Sequence, residues 1–398
     1  MSNIPRLPPE IWLDIIDWAT EDETPNVDYV HFERIPRDAR SSELVGTRKA
    51  LSQVSRGLRN LIMPQLYKEV WVNHGADELR TVLQKPRDPT SERPQCYGDT
   101  VRRLVLPYSS TAGKSPLPYL DILRTCLRLE VLVRPQLSLP EIYRLSFDFE
   151  TNIVQLPSLR RLEWCHHSEA DRAGGINSLS AVLRNSPSLR YLFIDRVVEL
   201  SPTGMDPTPL ELKRLKTLRL GVVNGLLLHQ ITQRWSLPSL TRLVLDRPMP
   251  EPQFVLLCQS LGTQLELLEF GGHLRFYTVD YISLALMSCP TLKELNFHIF
   301  FTIPPSQEDP NINTPSRPHT SLKTIGMHSA VNGMLSNGQE LWDRLREHFT
   351  FLAGERLESL ERVVLYGEWK FILDHPMFQP IKQKLQDRGL ELELYEGR

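Results

Sequence analysis

The sequence is poor in the features that mark several common classes of protein. Formal net charge over its 398 residues is −2 at pH 7, so no excess of one sign favours nucleic acid or an acidic membrane surface. No apolar run approaches the length that a bilayer requires. The first residues show no basic region followed by an apolar core, so no secretory signal is visible. The 5 cysteines are odd in number and scattered, which argues for reduced thiols and predicts a cytoplasmic or nuclear setting. A chain of this length can still bury a large core.

What is present is one phrase, copied. Pro157-Ser158-Leu159-Arg160-Arg161-Leu162-Glu163-Trp164 returns as Pro187-Ser188-Leu189-Arg190-Tyr191-Leu192-Phe193-Ile194 and as Pro238-Ser239-Leu240-Thr241-Arg242-Leu243-Val244-Leu245. Leu215-Lys216-Thr217-Leu218-Arg219-Leu220 is the same phrase without its lead. The shared pattern L-x-x-L-x-L ends in the apolar–polar alternation of a strand. It extends upstream to Val101 and Leu129, stopping there at Arg134, and downstream to Leu265, Leu292, Leu322 and Leu360; Tyr67 opens a plausible first copy. The interval is mostly 25 to 30 residues, long enough for a helix in every repeat. Cys126, Ser186, Gly262 and Cys289 each stand three residues before a leading Leu, where a helix must turn into the next strand. These features resemble a leucine-rich repeat of the cysteine-containing kind. The resemblance implies an α/β fold, a right-handed solenoid whose parallel sheet lines a concave side.

The first 66 residues do not follow the repeat. Leu7-Pro8-Pro9-Glu10-Ile11 opens a helix, with proline tolerated in the first turn. Ile11, Trp12, Ile15, Ile16 and Ala19 recur at helical spacing. A second helix is expected from about Leu44 to Ile62, then a short third turn opened by Pro64. Glu21 to Ser42 reads as a polar insertion. Together with the stretches 84–99 and 301–320, it lacks apolar periodicity and is expected to be mobile. Leu7-Pro8-x-Glu10-Ile11-x-x-x-Ile15-Ile16 and Leu51-Ser52-Gln53-Val54-Ser55-Arg56-Gly57-Leu58-Arg59, leading to Pro64-x-Leu66-Tyr67, resemble the two halves of an F-box. The expected organisation is a three-helix F-box over 1–66 and a leucine-rich-repeat solenoid over 67–398.

Chemistry is hard to find. Gly113-Lys114-Ser115 matches the end of a phosphate-binding loop, but the required glycine five residues earlier is Tyr108. Cys165-His166-His167 holds metal-ligand types, yet neighbours on a strand point to opposite sides and no second cluster completes a site. No catalytic residue, metal or cofactor is expected, and the chain is read as a non-enzyme.

Binding surfaces remain. In each phrase the leucines point inward and the residues between them line the sheet. That row supplies Arg161, Tyr191, Phe193, Asp195, Arg219, Arg242 and Asp246 as candidates for holding a target protein. The F-box resemblance implies a Skp-family adaptor docking on Leu7, Pro8, Ile11, Ile15, Ile16, Leu51, Val54 and Leu58, and through it a cullin. Together the two resemblances imply a substrate-recognition subunit of an SCF-type ubiquitin ligase. The alternative is a non-catalytic repeat scaffold without a role in ubiquitination.

Overall fold

A computed structural model describes residues 8–19, 27–33, 43–72, 75–86, 96–108, 117–136, 145–147, 149–197, 208–272, 279–305, 318–330 and 338–395. The chain forms two compact units. One runs as far as Arg214; the other takes Leu215 onward together with His31–Glu33.

The first unit begins with helices α1 (Pro9–Ala19), α2 (Glu43–Val54) and α3 (Arg56–Leu66). The single helix expected over 44–62 is broken at Ser55. Its backbone is extended there, and its hydroxyl accepts from the Leu58 amide at 3.1 Å, as an N-cap does. Pro64 lies inside α3 instead of opening a separate turn. Five strands follow, Glu69–Trp71, Arg103–Val105, Val131–Arg134, Arg161–Cys165 and Tyr191–Asp195, each parallel to the next. Leu104, Leu132, Leu162 and Leu192 stand opposite one another in this register and are fully buried.

The second unit repeats the arrangement. Thr217–Leu220, Arg242–Leu245, Leu267–Phe270, Glu294–His298, Thr324–His328, Arg362–Tyr366 and Glu391–Leu394 pair parallel in chain order. Leu218, Leu243, Leu268, Leu295, Ile325 and Val363 form its buried row. Helices lie between strands, among them Glu251–Leu261 and Gly338–Leu352. Parallel pairing through helical crossovers is how such a sheet must be connected. The expected α/β class, the parallel strands and the inward leucines are all present.

The small residues before each phrase have a physical reason. Cys126 and Cys289 are buried at the turn, and the Ser186 hydroxyl donates to the Val182 carbonyl at 2.7 Å. Gly262 is the tightest case: a Cβ there would run into the carbonyl oxygens of Cys258 and Ser288. The Ser or Thr just before the leading Leu also links coils. Ser158 donates to Leu127 O, Thr291 to Leu265 O and Ser359 to Thr320 O.

Of the three expected loops, the stretches 87–95 and 306–317 lie outside the described residues, as do 20–26 and 34–42. The expectation of a mobile Glu21–Ser42 fails for residues 27–33. Val27 packs against the cluster of Val105, Val131 and Val133, while His31–Glu33 bond to the second unit's strands.

Gly262→Ala should cost about 1–3 kcal/mol, because backbone atoms on two sides must move to admit the methyl group. Denaturant unfolding of the full chain checks this. A change inside measurement error would mean the coils do not approach as closely as the turn requires.

Candidate protein-interaction surfaces

The first surface is on the N-terminal helices. In α1 the spacing i, i+4, i+7 sets Ile11, Ile15 and Trp18 on one side. They are 43%, 41% and 81% exposed, and Val54 at the end of α2 is 67% exposed. Ile16 and Ile62 of α3 take the interior instead. The candidate docking set therefore divides. Ile11, Ile15 and Val54 are open to solvent and Pro8 is exposed; Leu51 and Leu58 are half-buried, Ile16 is core, and Leu7 lies outside the described residues. Trp18 was missed, although it continues the Ile11–Ile15 spacing by one more turn.

The second surface is the sheet face that the leucines turn away from. It is not the open face that strand alternation predicts. Arg161, Tyr191, Phe193, Arg219 and Asp246 are buried, and Asp195 and Arg242 are half-buried. In the first unit the Arg161 guanidinium pairs with Glu163 at 2.7 Å, stacks 4.0 Å above the Tyr191 ring and reaches the Asp28 carbonyl at 3.4 Å. These contacts leave it little left to offer a target.

In the second unit His31–Glu33 lie on that face. Arg219 grips Asp246 with two parallel bonds, Nε to Oδ2 at 2.7 Å and Nη2 to Oδ1 at 2.8 Å. The same guanidinium holds the Glu33 carbonyl at 2.7 Å and its carboxylate at 3.6 Å. The Phe32 amide donates to Glu269 Oε2 at 3.0 Å. Burial lowers the His31 pKa, with Glu294 pulling the other way at 3.3 Å. His31 Nδ1 lies 3.0 Å from Asn296 Nδ2, and Asn296 also donates to Glu294. Equivalent positions of three neighbouring strands carry His298, His328 and Tyr366. Their ring centroids lie 5.0, 5.2 and 5.0 Å from that of Phe32.

Other polar groups serve the fold. Arg134 fills an inward position that holds Trp164 and Ile194 on the next two strands. It donates to the carbonyls of Leu106, Pro107 and Ile176 and faces the rings of Tyr108 and Trp164, while burial brings its pKa down to about 10. In Cys165-His166-His167, burial raises the thiol to about 12 and lowers His166 to about 4. His167 Nδ1 accepts from Ala170 N and caps a short helix. Among the described residues no group of three or more His, Cys, Asp or Glu is placed to hold a metal ion. Gly113-Lys114-Ser115 lies outside the described residues.

A scan against protein-family models gives no match, and neither does a search of curated proteins. Among solved structures, the chain is similar to a leucine-rich repeat-containing protein, LegL7 from Legionella pneumophila. Identity is 12% and the TM-score 0.40, over 75% of this chain and 96% of that one. The repeat architecture rests on this chain's own strands and their register.

Arg219→Ala should destabilise the chain by about 3–5 kcal/mol, because it strands the buried Asp246 carboxylate without its partner. Lys323→Ala removes an exposed pair with Glu361 and should change stability by under about 1 kcal/mol. Parallel urea titrations compare the two. Equal small shifts would show that the Arg219 cluster is not tightly formed.

Proposed function

We propose that this chain is the target-recruiting subunit of an SCF-type ubiquitin ligase, with its N-terminal helices docking a Skp-family adaptor and its repeats receiving the target protein. The observation that carries this reading is the apolar stripe of Ile11, Ile15 and Trp18 on a short helical unit joined to repeats. Three short helices cannot enclose every apolar side chain they carry. A contiguous apolar patch left at a surface marks a partner site. The spacing of the stripe matches the F-box-like opening of the sequence. Bond-making would belong to other subunits; this chain would supply two binding faces and no catalytic group. A scaffold that joins partners without ubiquitination uses the same stripe, and the identity of the protein that docks there separates the two readings.

Ile15→Asp places a charge where a partner must remove water, a heavy cost when the charge is unpaired. The variant should lose at least tenfold in affinity for a purified Skp-family adaptor in a pull-down or calorimetric titration, and its circular dichroism should match the native chain. Native-like adaptor binding by the folded variant would overturn the docking assignment. Loss of fold would mean that Ile15 serves the core alone.

A further inference from the structure

We infer that Arg219, Glu269, His298, His328 and Tyr366 form a peptide-binding site for an aromatic residue followed by an acidic one, and that Phe32-Glu33 occupies it as a tethered stand-in for a ligand. The inference rests on the repeats being the target-receiving part of the chain, and does not depend on which adaptor docks at the helices.

Four observations meet here. The Phe32 ring sits among three aromatic rings presented at one register position by three adjacent strands, which is how a side-chain pocket arises on a parallel sheet. Its backbone amide and the following carbonyl are both recognised, the first by Glu269 and the second by Arg219. Main-chain bonds with a pocket for one side chain are the usual grammar of peptide recognition. The Glu33 carboxylate adds an ionic contact to Arg219, whose orientation is already fixed by its two bonds to Asp246. A preset guanidinium selects an acidic group at little further ordering cost.

The fourth observation separates a docked ligand from ordinary packing. Phe32 has φ of 54°, in the left-handed region that a bulky residue avoids. Such a conformation persists only where surrounding contacts over-determine it. The contacts come from strands more than 180 positions away in sequence, so the site dictates the shape of the segment. All three residues from His31 to Glu33 remain half-buried. Tethering makes their binding intramolecular, which lets a strained and modest contact stay occupied. A target carrying an exposed Phe-Glu or Tyr-Asp step competes for the same cage and the same guanidinium, and must displace the tether to bind.

The test uses the full chain and a fluorescein-labelled peptide of the sequence Val-Asp-Tyr-Val-His-Phe-Glu, read by fluorescence polarisation. The native chain, with its site filled, should bind weakly. Phe32→Ala should bind the peptide at least tenfold more tightly, and the same peptide with Ala in place of Phe should not bind. Adding His328→Ala to Phe32→Ala should remove the binding, which places the peptide in the cage. Glu33→Ala keeps the ring and loses one ionic contact, so it should show a smaller gain. A folded Phe32→Ala chain that binds no better than native overturns the inference. So does loss of cooperative melting in both Phe32→Ala and Glu33→Ala, which would make the segment part of the core. Because no adaptor is present, peptide binding and adaptor docking fail or succeed separately.

Discussion

Within each unit the strands of the repeated phrase pair parallel with one another at matching positions, and that register gathers equivalent residues into rows. One row holds Leu218, Leu243, Leu268 and Leu295 against the helices. The neighbouring row, pointing the other way, holds Arg219, Val244, Glu269 and Asn296. Parallel sheets are stable when both faces are covered. Charges on that face are therefore tolerable only when each finds a partner, and the partners come from elsewhere on the same face, as Asp246 does for Arg219, and from the chain's own residues 28 to 33. The remaining features follow from how those charges are satisfied.

The repeat was legible because leucine spacing is local and recurs. L-x-x-L-x-L located the strands, and the small residue before it located the turns. The break at Ser55 was less legible, because apolar spacing continues across it and only a hydroxyl in an extended backbone marks the stop. Arg134 looked like the end of a repeat. It is instead an inward residue whose charge is answered by three carbonyls and two rings, partners that no local pattern announces.

The surfaces were legible by halves. Ile11 and Ile15 were found by spacing, but spacing alone could not tell that Ile16 turns inward or that Trp18 completes the exposed stripe. Strand alternation correctly separated the second row from the leucines. It could not reveal that Arg219 and Asp246 bond each other across two strands, nor that His31–Glu33 reach them from a polar insertion. The only hint in that insertion is an apolar and aromatic island, Val27-Asp28-Tyr29-Val30-His31-Phe32, too short for any periodicity to register. Contacts made over such sequence distances depend on the assembled sheet, and the sheet is absent from any local window.

The most direct measurement of whether this segment occupies the sheet face is native-state hydrogen exchange at the Phe32 amide, which donates to Glu269. A seated segment predicts exchange slowed by about a hundredfold or more relative to an unstructured peptide. Glu269→Ala in the folded chain should return that amide toward the unstructured rate. Exchange at the unstructured rate in the native chain would contradict the seated segment, and with it the occupied face on which this account of the second unit depends.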